Sequence, residues 1–230
     1  MIRLLEWDSD LFQMKVGSAD VRYVDEISTS ELELFDLVYI FSKEDTEGLP
    51  SNFFLADKKV TYQKIINERY IQKDHMICSV DANEGDDTNL IELALQAGEY
   101  SRFNLDKRFP KGSFQTLYKS WVINSLNRKI ANEVYVLNGL NGYEGMVTLG
   151  IKNGIPDIGL IAVDKKYRGK GIGGKLISAA ENWAVNVLNT NQIQVVTQGF
   201  NLPACSFYEK HGFDKVSRIF IYHWWSPNLI

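Results

Sequence analysis

Arg168-Gly-Lys-Gly-Ile-Gly-Gly174 places four glycines in seven positions, with Lys165, Lys166, Arg168, Lys170 and Lys175 around them. Lacking Cβ atoms, Gly169, Gly171, Gly173 and Gly174 let the backbone curl and aim successive N–H groups into one concavity. At the start of a helix, where the dipole also favours an anion, such a loop is a cradle for a diphosphate. Three phosphate loops fit the letters. Gly169 to Lys175 spells G-x-x-x-x-G-K, but Leu176 stands where a hydroxyl must hold Mg²⁺, so the nucleotide triphosphate reading fails. Gly169, Gly171 and Gly174 satisfy G-x-G-x-x-G. That dinucleotide reading needs an acid closing its second strand, and the strand expected at Ile193 to Gln198 ends in Thr197-Gln198. The third pattern, Arg-x-x-Gly-x-Gly over 168–173, remains.

Downstream come an amphipathic helix from Gly174 to Leu188, a strand at Ile193 to Gln198, then Asn201, Ala204 and Phe207-Tyr-Glu-Lys-His-Gly-Phe213. In this order and spacing the chain resembles the GNAT superfamily of acyl-CoA-dependent N-acyltransferases. The resemblance implies acetyl-CoA as cosubstrate, with its diphosphate on Arg168, Gly169, Lys170, Gly171, Ile172, Gly173 and Gly174. It also implies that the strand before the loop parts from the next one, so that Ile161, Ala162 and Val163 line the pantetheine arm. Asn201 would meet that arm, and Tyr208 would stand near the thioester sulfur.

A tyrosine suits that place chemically. Attack of a neutral amine on a thioester builds an oxyanion that needs fixed donors and expels a thiolate that benefits from a proton. A phenol with a pKa of ~10 is still protonated at neutral pH and can supply it. Packing beside Phe207 and Phe213 is the alternative role for Tyr208. For the base, Asp157 and Glu144 are candidates, though a solvated charge at a strand end is the favoured reading of each. His75, His211 and His223 have no metal-ligand spacing and receive no role.

A closer resemblance is carried by Trp7-Asp8-Ser9-x-x-Phe12, Gly98-Glu-Tyr-Ser-Arg-Phe103, Phe114-x-x-Leu-Tyr-x-x-Trp121 and Val196-Thr-Gln198. These segments are similar to the dTDP-fucosamine acetyltransferase subgroup, which N-acetylates a nucleotide-linked 4-amino-4,6-dideoxy sugar. It implies a small N-terminal domain beside the acetyltransferase domain and a cleft between halves for the sugar. There Arg102 would pair with a substrate phosphate or, alternatively, with Asp106. Tyr118 and Trp121 would stack on the substrate or fill the core. A peptide, lysine or small-molecule amine is the competing acceptor, and an acyl-CoA-binding module without turnover is the third reading.

Composition narrows the classes. The 230 residues carry a net charge of −4 and are 45% hydrophobic, enough for a substantial core and without the basic field that recruits nucleic acid. Two cysteines, Cys78 and Cys205, offer neither a disulfide framework nor a metal site, and no metal is expected. Without a signal-like or membrane-spanning run the expected location is the cytoplasm, and a homodimer is a possible assembly.

The elements positioning these residues read as a mixed α/β fold in two parts, 1–97 as an N-terminal α/β domain forming part of the substrate wall and 98–230 as the acetyltransferase domain. Leu32, Leu34, Phe35, Val38 and Tyr39 behind Ser28-Thr29-Ser30 predict a helix over Ser30 to Phe41. Phe53 to Asp57 and Lys59 to Ile65 read as strands, Asp81 to Asn89 as a polar break, and Leu90 to Ala97 as a short apolar segment. Ser113 caps a predicted helix carrying Leu117, Tyr118 and Trp121. Val134 to Leu137 and Gly145 to Ile151 flank a turn cluster at Asn138 to Gly142, and the wholly apolar Ile158 to Val163 predicts a central strand.

Overall fold

The computed structural model describes residues 1–67, 75–82 and 87–229. Ten strands, β1 Arg3–Leu4, β2 Val16–Val21, β3 Leu37–Ser42, β4 Phe53–Ile65, β5 Ile77–Ser79, β6 Glu133–Gly139, β7 Gly142–Lys152, β8 Ile155–Val163, β9 Gln192–Gln198 and β10 Asp214–Trp225, form one sheet. Their order is β1-β2-β3-β10-β4-β9-β8-β7-β6-β5. Pairing is parallel for β2–β3 and β8–β9 and antiparallel elsewhere. The helices are α1 Glu6–Phe12, α2 Thr29–Leu32, α3 Asp87–Ala97, α4 Arg102–Leu105, α5 Ser113–Leu126, α6 Ile172–Asn186 and α7 Leu202–Lys210.

Strand alternation divides the core between the two faces of the sheet. Leu176, Ile177, Ala180, Trp183 and Ala184 of α6 pack with Tyr208 of α7 on Val60, Tyr62, Val147, Ile158 and Val195. The opposite face carries α1, α3, α4 and α5, where Phe12, Leu90, Leu93, Phe103, Leu117 and Val122 meet Tyr39, Val136, Met146 and Ala162. A third cluster around Val38, Ile40, Phe220, Tyr222 and Trp224 closes the β2–β3–β10 end.

The expected helix over Ser30 to Phe41 divides instead. Ser28 caps α2, its Oγ accepting from the Glu31 N–H at 3.4 Å, and the chain then becomes β3. β3 lies between β2 and β10, with Leu37, Val38, Tyr39 and Ile40 all buried, so both of its faces are apolar and alternation is lost. The two strands expected at 53–65 are one, with a register irregularity where Ile221 and Tyr222 face Asp57 and Leu55. Gly112, at φ +90°, rather than Ser113, precedes α5. The middle of the polar break, 83–86, lies outside the described residues. The expected boundary near Gly98 does not divide the sheet, because β4 from the first part lies between β9 and β10 of the second.

Candidate acyl-CoA and acceptor site

β8 and β9 start as neighbours and then part. They are registered only at Asp157 with Gln194 and Ile158 with Val195, whereas β8 stays paired with β7 to Val163. The departure coincides with a bulge: Thr148 faces Leu160 and Leu149 faces Ile158, leaving Gly159 extra. Thr148 Oγ1 accepts from the Leu160 N–H at 2.8 Å. A Cβ on residue 159 would stand 2.8 Å from that oxygen, so the bulge needs its glycine. From Gly159 onward the β9-facing backbone of β8 is left without its ladder partner, an edge that can bond an amide-containing chain.

Below this opening the glycine loop enters α6. A 3-10 turn at Lys165–Tyr167 is capped by Asp164, whose Oδ1 accepts from the Lys166 N–H at 2.8 Å. Arg168 Nε bonds back to the Val163 carbonyl at 3.0 Å. Gly169 and Gly171 both have φ +79°, and Gly171 is the N-cap of α6. Gly173 and Gly174 serve packing: a Cβ on Gly173 would meet Phe207 at 2.8 Å, and one on Gly174 would meet His211 Nε2 at 3.0 Å. The first turn of α6 thus approaches α7 closely and directs its amide donors at the space between them.

That space is a cleft of about 630 Å³ lined by Ile161, Ala162, Val163, Arg168, Gly169, Gly171, Ile172, Gly173, Gly174, Asn201 and Tyr208. These are all but one of the expected site residues. Lys170 is the exception: its ammonium sits 4.9 Å from the centre of the Tyr167 ring and is not part of the lining. Gln96, Glu99, Tyr100, Pro203, Ala204, Phe207 and His211 complete the walls; of these only Gln96 and Pro203 lie outside the segments that carried the resemblances. Gln96 also holds the loop, its Oε1 accepting from the Lys165 N–H at 2.9 Å, while Glu99 pairs with Lys165 at 3.3 Å.

Asn201 caps α7, its Oδ1 accepting from the Ala204 N–H at 3.1 Å, which leaves the amide nitrogen for another partner. Tyr208 is 4% exposed, packed on Phe207, Phe213 and Tyr62, and burial pushes its phenol pKa upward. Its ring is thus held by the core, and the residue also lines the cleft. His211 donates from Nδ1 to the Phe207 carbonyl at 2.8 Å, as a helix-end residue.

Of the base candidates, Glu144 covers Gly139 at the β6–β7 turn. Asp157 is no solvated strand end. It sits one step before the last paired residue, Ile158, beyond which β8 and β9 diverge, with Oδ1 buried and unpartnered, and burial raises its pKa.

On the sheet face opposite α6 and α7, a second polar group surrounds Arg102. Its guanidinium lies 4.0 Å from the centre of the Tyr39 ring and 4.3 Å from that of Phe103. The expected Arg102–Asp106 pair does not form. Asp106 instead accepts from Arg108 Nε at 2.8 Å, Trp225 Nε1 at 2.9 Å and His223 Nδ1 at 2.7 Å, bonds that hold its carboxyl far below the usual range despite burial. Arg102 Nη1 contacts His223 Nε2 at 2.9 Å. An arginine only donates, so Nε2 accepts and the proton is on Nδ1. Burial holds this histidine neutral, its pKa pushed down to about 4. Tyr118 packs on Phe114 and Trp121 and against Gly98, where a Cβ would fall 2.4 Å from its ring. Both aromatics are core.

Asp57 shares that face. It is 6% exposed with Oδ1 unpartnered, and burial pushes its pKa up to about 6 against the pull of Arg102. A carboxyl raised on folding binds its proton more tightly in the folded chain, so it costs stability as pH rises from about 4 through 6. Asp57→Asn is therefore expected to be the more stable protein at pH 8, by about 1–3 kcal/mol, with the difference fading towards pH 4. Urea titrations of both proteins at the two pH values measure it; equal midpoints at pH 8 would contradict the burial of an unpaired charge.

Among the described residues no group of three or more His, Cys, Asp or Glu is placed to hold a metal, and no helix is long and apolar enough to cross a membrane. Residues 131–215 match the acetyltransferase (GNAT) domain family. The uncharacterized protein YxbD of Bacillus subtilis (strain 168) is 33% identical over 86 residues, 37% of this chain and 52% of that protein. The chain thus spans about half the length of the curated relative it matches. A functionally unknown conserved protein from Staphylococcus epidermidis ATCC 12228 superposes with a TM-score of 0.62 at 15% identity, over 96% of this chain and 89% of that one. A putative acetyltransferase from the GNAT family of Novosphingobium aromaticivorans DSM 12444 does so at 0.52 and 13%, over 84% and 75%. The parted strands, the glycine loop and these likenesses agree: residues 131–215 are similar to the acetyltransferase domain of the GNAT superfamily, and the sheet that contains them has the GNAT acyltransferase fold.

Proposed function

We propose that the chain is an acetyl-CoA-dependent N-acyltransferase whose acceptor is the amine of a nucleotide-linked amino sugar. The observation that carries the transferase reading is the opening between β8 and β9 directly above the glycine cradle, with Tyr208 in its wall. The glycine-rich amides and the N-terminus of α6 fit a diphosphate, and the unladdered edge of β8 fits a pantetheine arm. Acetyl-CoA, when bound, supplies the activated acyl group.

The chain's own groups divide the remaining work. Asp157 takes the proton that the attacking amine sheds as its nitrogen–carbon bond forms. Tyr208 gives a proton to the sulfur as the carbon–sulfur bond breaks. Burial keeps the phenol protonated for that task and makes the carboxyl a stronger base than an exposed one.

The acceptor reading rests on the resemblance of the first half to amino-sugar N-acetyltransferases. The fold brings two of those segments together: Asp8 and Arg102 are the charges that act most on the Tyr39 hydroxyl, and Phe12 stacks on Phe103 with centroids 5.9 Å apart. Thiol release from acetyl-CoA, measured across nucleotide-linked amino sugars, free amino sugars, peptides and polyamines, tests both levels. The nucleotide-linked sugar is expected to give the highest kcat/KM and its free form a value lower by ~10² or more, since the distant part of the acceptor contributes to positioning. A peptide amine outperforming every sugar would remove the acceptor reading and leave the transferase reading. No release with any amine would favour a binding module.

A further inference from the structure

Gln96 stands in the last turn of α3, outside the 131–215 stretch, and both ends of its amide are bound to the chain that leads into the glycine loop. Its Oε1 accepts from the Lys165 N–H at 2.9 Å, and its Nε2 donates to Asp164 Oδ2 at 3.4 Å. The partners fix which end of the amide is which. A backbone N–H only donates, and Asp164, whose carboxyl is held below the usual range first by the Lys166 N–H, is ionised and only accepts. A hydrocarbon at position 96 would lose both bonds, and a carboxylate would lose the donor and face Asp164 with like charge.

Both sides of this link are set by other contacts. Leu90, Leu93 and Ala94, each fully buried, fix α3 in the core, and the helix packs along β7 and β8. Asp164 closes the 3-10 turn that opens the loop, its Oδ1 accepting from the Lys166 N–H and its carbonyl from the Tyr167 N–H, each at 2.8 Å. Arg168 and the left-handed Gly169 and Gly171 follow directly. The two bonds from Gln96 therefore set where the chain leaves β8 and how the cradle begins. The neighbouring Glu99–Lys165 pair joins half-exposed ends, and such a pair contributes little.

We propose that Gln96 is a positioning residue for the CoA diphosphate, holding the glycine cradle in its binding shape before CoA arrives. The assignment rests on the reading that the glycine loop receives the diphosphate. Gln96 lines the cleft, but each end of its amide is already engaged with the loop, so it acts through Asp164 and Lys165. A cradle that holds its binding shape only part of the time binds more weakly in proportion to that fraction. Loss of two ordinary hydrogen bonds lowers the fraction, and hence the affinity for CoA, by ~10-fold. A ligand without the diphosphate does not use the cradle and is indifferent to its shape.

That difference separates a positioning role from a merely structural one. CoA is titrated by calorimetry, and S-acetylpantetheine, which lacks the diphosphate, by NMR, into the wild type, Gln96→Leu and Gln96→Glu. Gln96→Leu keeps the apolar face of α3 and is expected to fold, with CoA bound ~10-fold more weakly and S-acetylpantetheine within about twofold of the wild type. Gln96→Glu should weaken CoA at least as much, since its carboxylate faces Asp164, and it provides the measurement if Gln96→Leu does not fold. Unchanged CoA affinity in either folded variant overturns the proposal. Equal weakening for both compounds overturns it too, because it would place Gln96 against the pantetheine arm or in general packing. A wild type that binds CoA no more tightly than S-acetylpantetheine would instead remove the diphosphate reading itself, and the role of Gln96 with it.

Discussion

Gly171→Val is expected to weaken acetyl-CoA binding by at least ~10²-fold in a protein that still folds. Nothing lies within 4 Å of where a Cβ on residue 171 would point, so the fold has room for the side chain. The obstacle is the backbone. Gly171 has φ +79°, a region that costs an ordinary L-residue ~1–2 kcal/mol and a β-branched one more. Relief by rotation would turn the amides of the α6 N-terminus away from the diphosphate, and each bond from an amide to an anion contributes ~1.5–3 kcal/mol. Two such bonds account for the stated loss. Gly173→Ala should behave oppositely, since its Cβ would press on Phe207: it should lower thermal stability first. Calorimetric titration of acetyl-CoA into folded Gly171→Val checks the assignment, and unchanged affinity would overturn it.

Removal of the Tyr208 hydroxyl has the second large effect. Tyr208→Phe keeps the ring that packs on Tyr62, Phe207 and Phe213, so folding and acetyl-CoA affinity should survive. Turnover should fall by ~10² or more, the usual contribution of a positioned proton donor. Asp157→Asn should lose a comparable factor and, unlike Tyr208→Phe, abolish the acidic limb of the kcat/KM profile, because it removes the carboxyl whose ionisation produces that limb. Wild-type turnover in Tyr208→Phe would mean that water or another group protonates the sulfur. An intact acidic limb in Asp157→Asn would move the base elsewhere.

The second half of the chain was legible because its signals are local. Glycines at 169, 171, 173 and 174, the single apolar stripe of α6 and the doubly covered strand β8 each state their structure within about fifteen residues, as one face or one turn. β3 misled because a strand covered on both faces shows no alternation, and Val38 and Tyr39 then mimic a helical stripe beginning at Leu32. Asp57 carried no local mark at all. Its burial depends on α4 and on β10, a strand more than 150 positions later, so the charge reads as ordinary until the registers are known. Asp157 was visible as a carboxyl but not as a half-buried one, because its cover depends on the pairing of β8 with β9. Gln96 joins the cleft because α3 lies against β8.

The place of β4 in the sheet bears on how the chain reaches this structure. β4 is flanked by β9 and β10, with Lys59 facing Gln198 on one side and Ile219 on the other. During synthesis those neighbours emerge well over a hundred residues after β4, and until then a thirteen-residue strand waits with both edges open. Central pairings of such long range make for slow folding, since the loop entropy is spent before the contacts reward it. A nascent chain halted before β9 would carry an incomplete sheet and a strand ready to pair with other molecules, making the interval before β9 and β10 emerge the one in which a chaperone matters most.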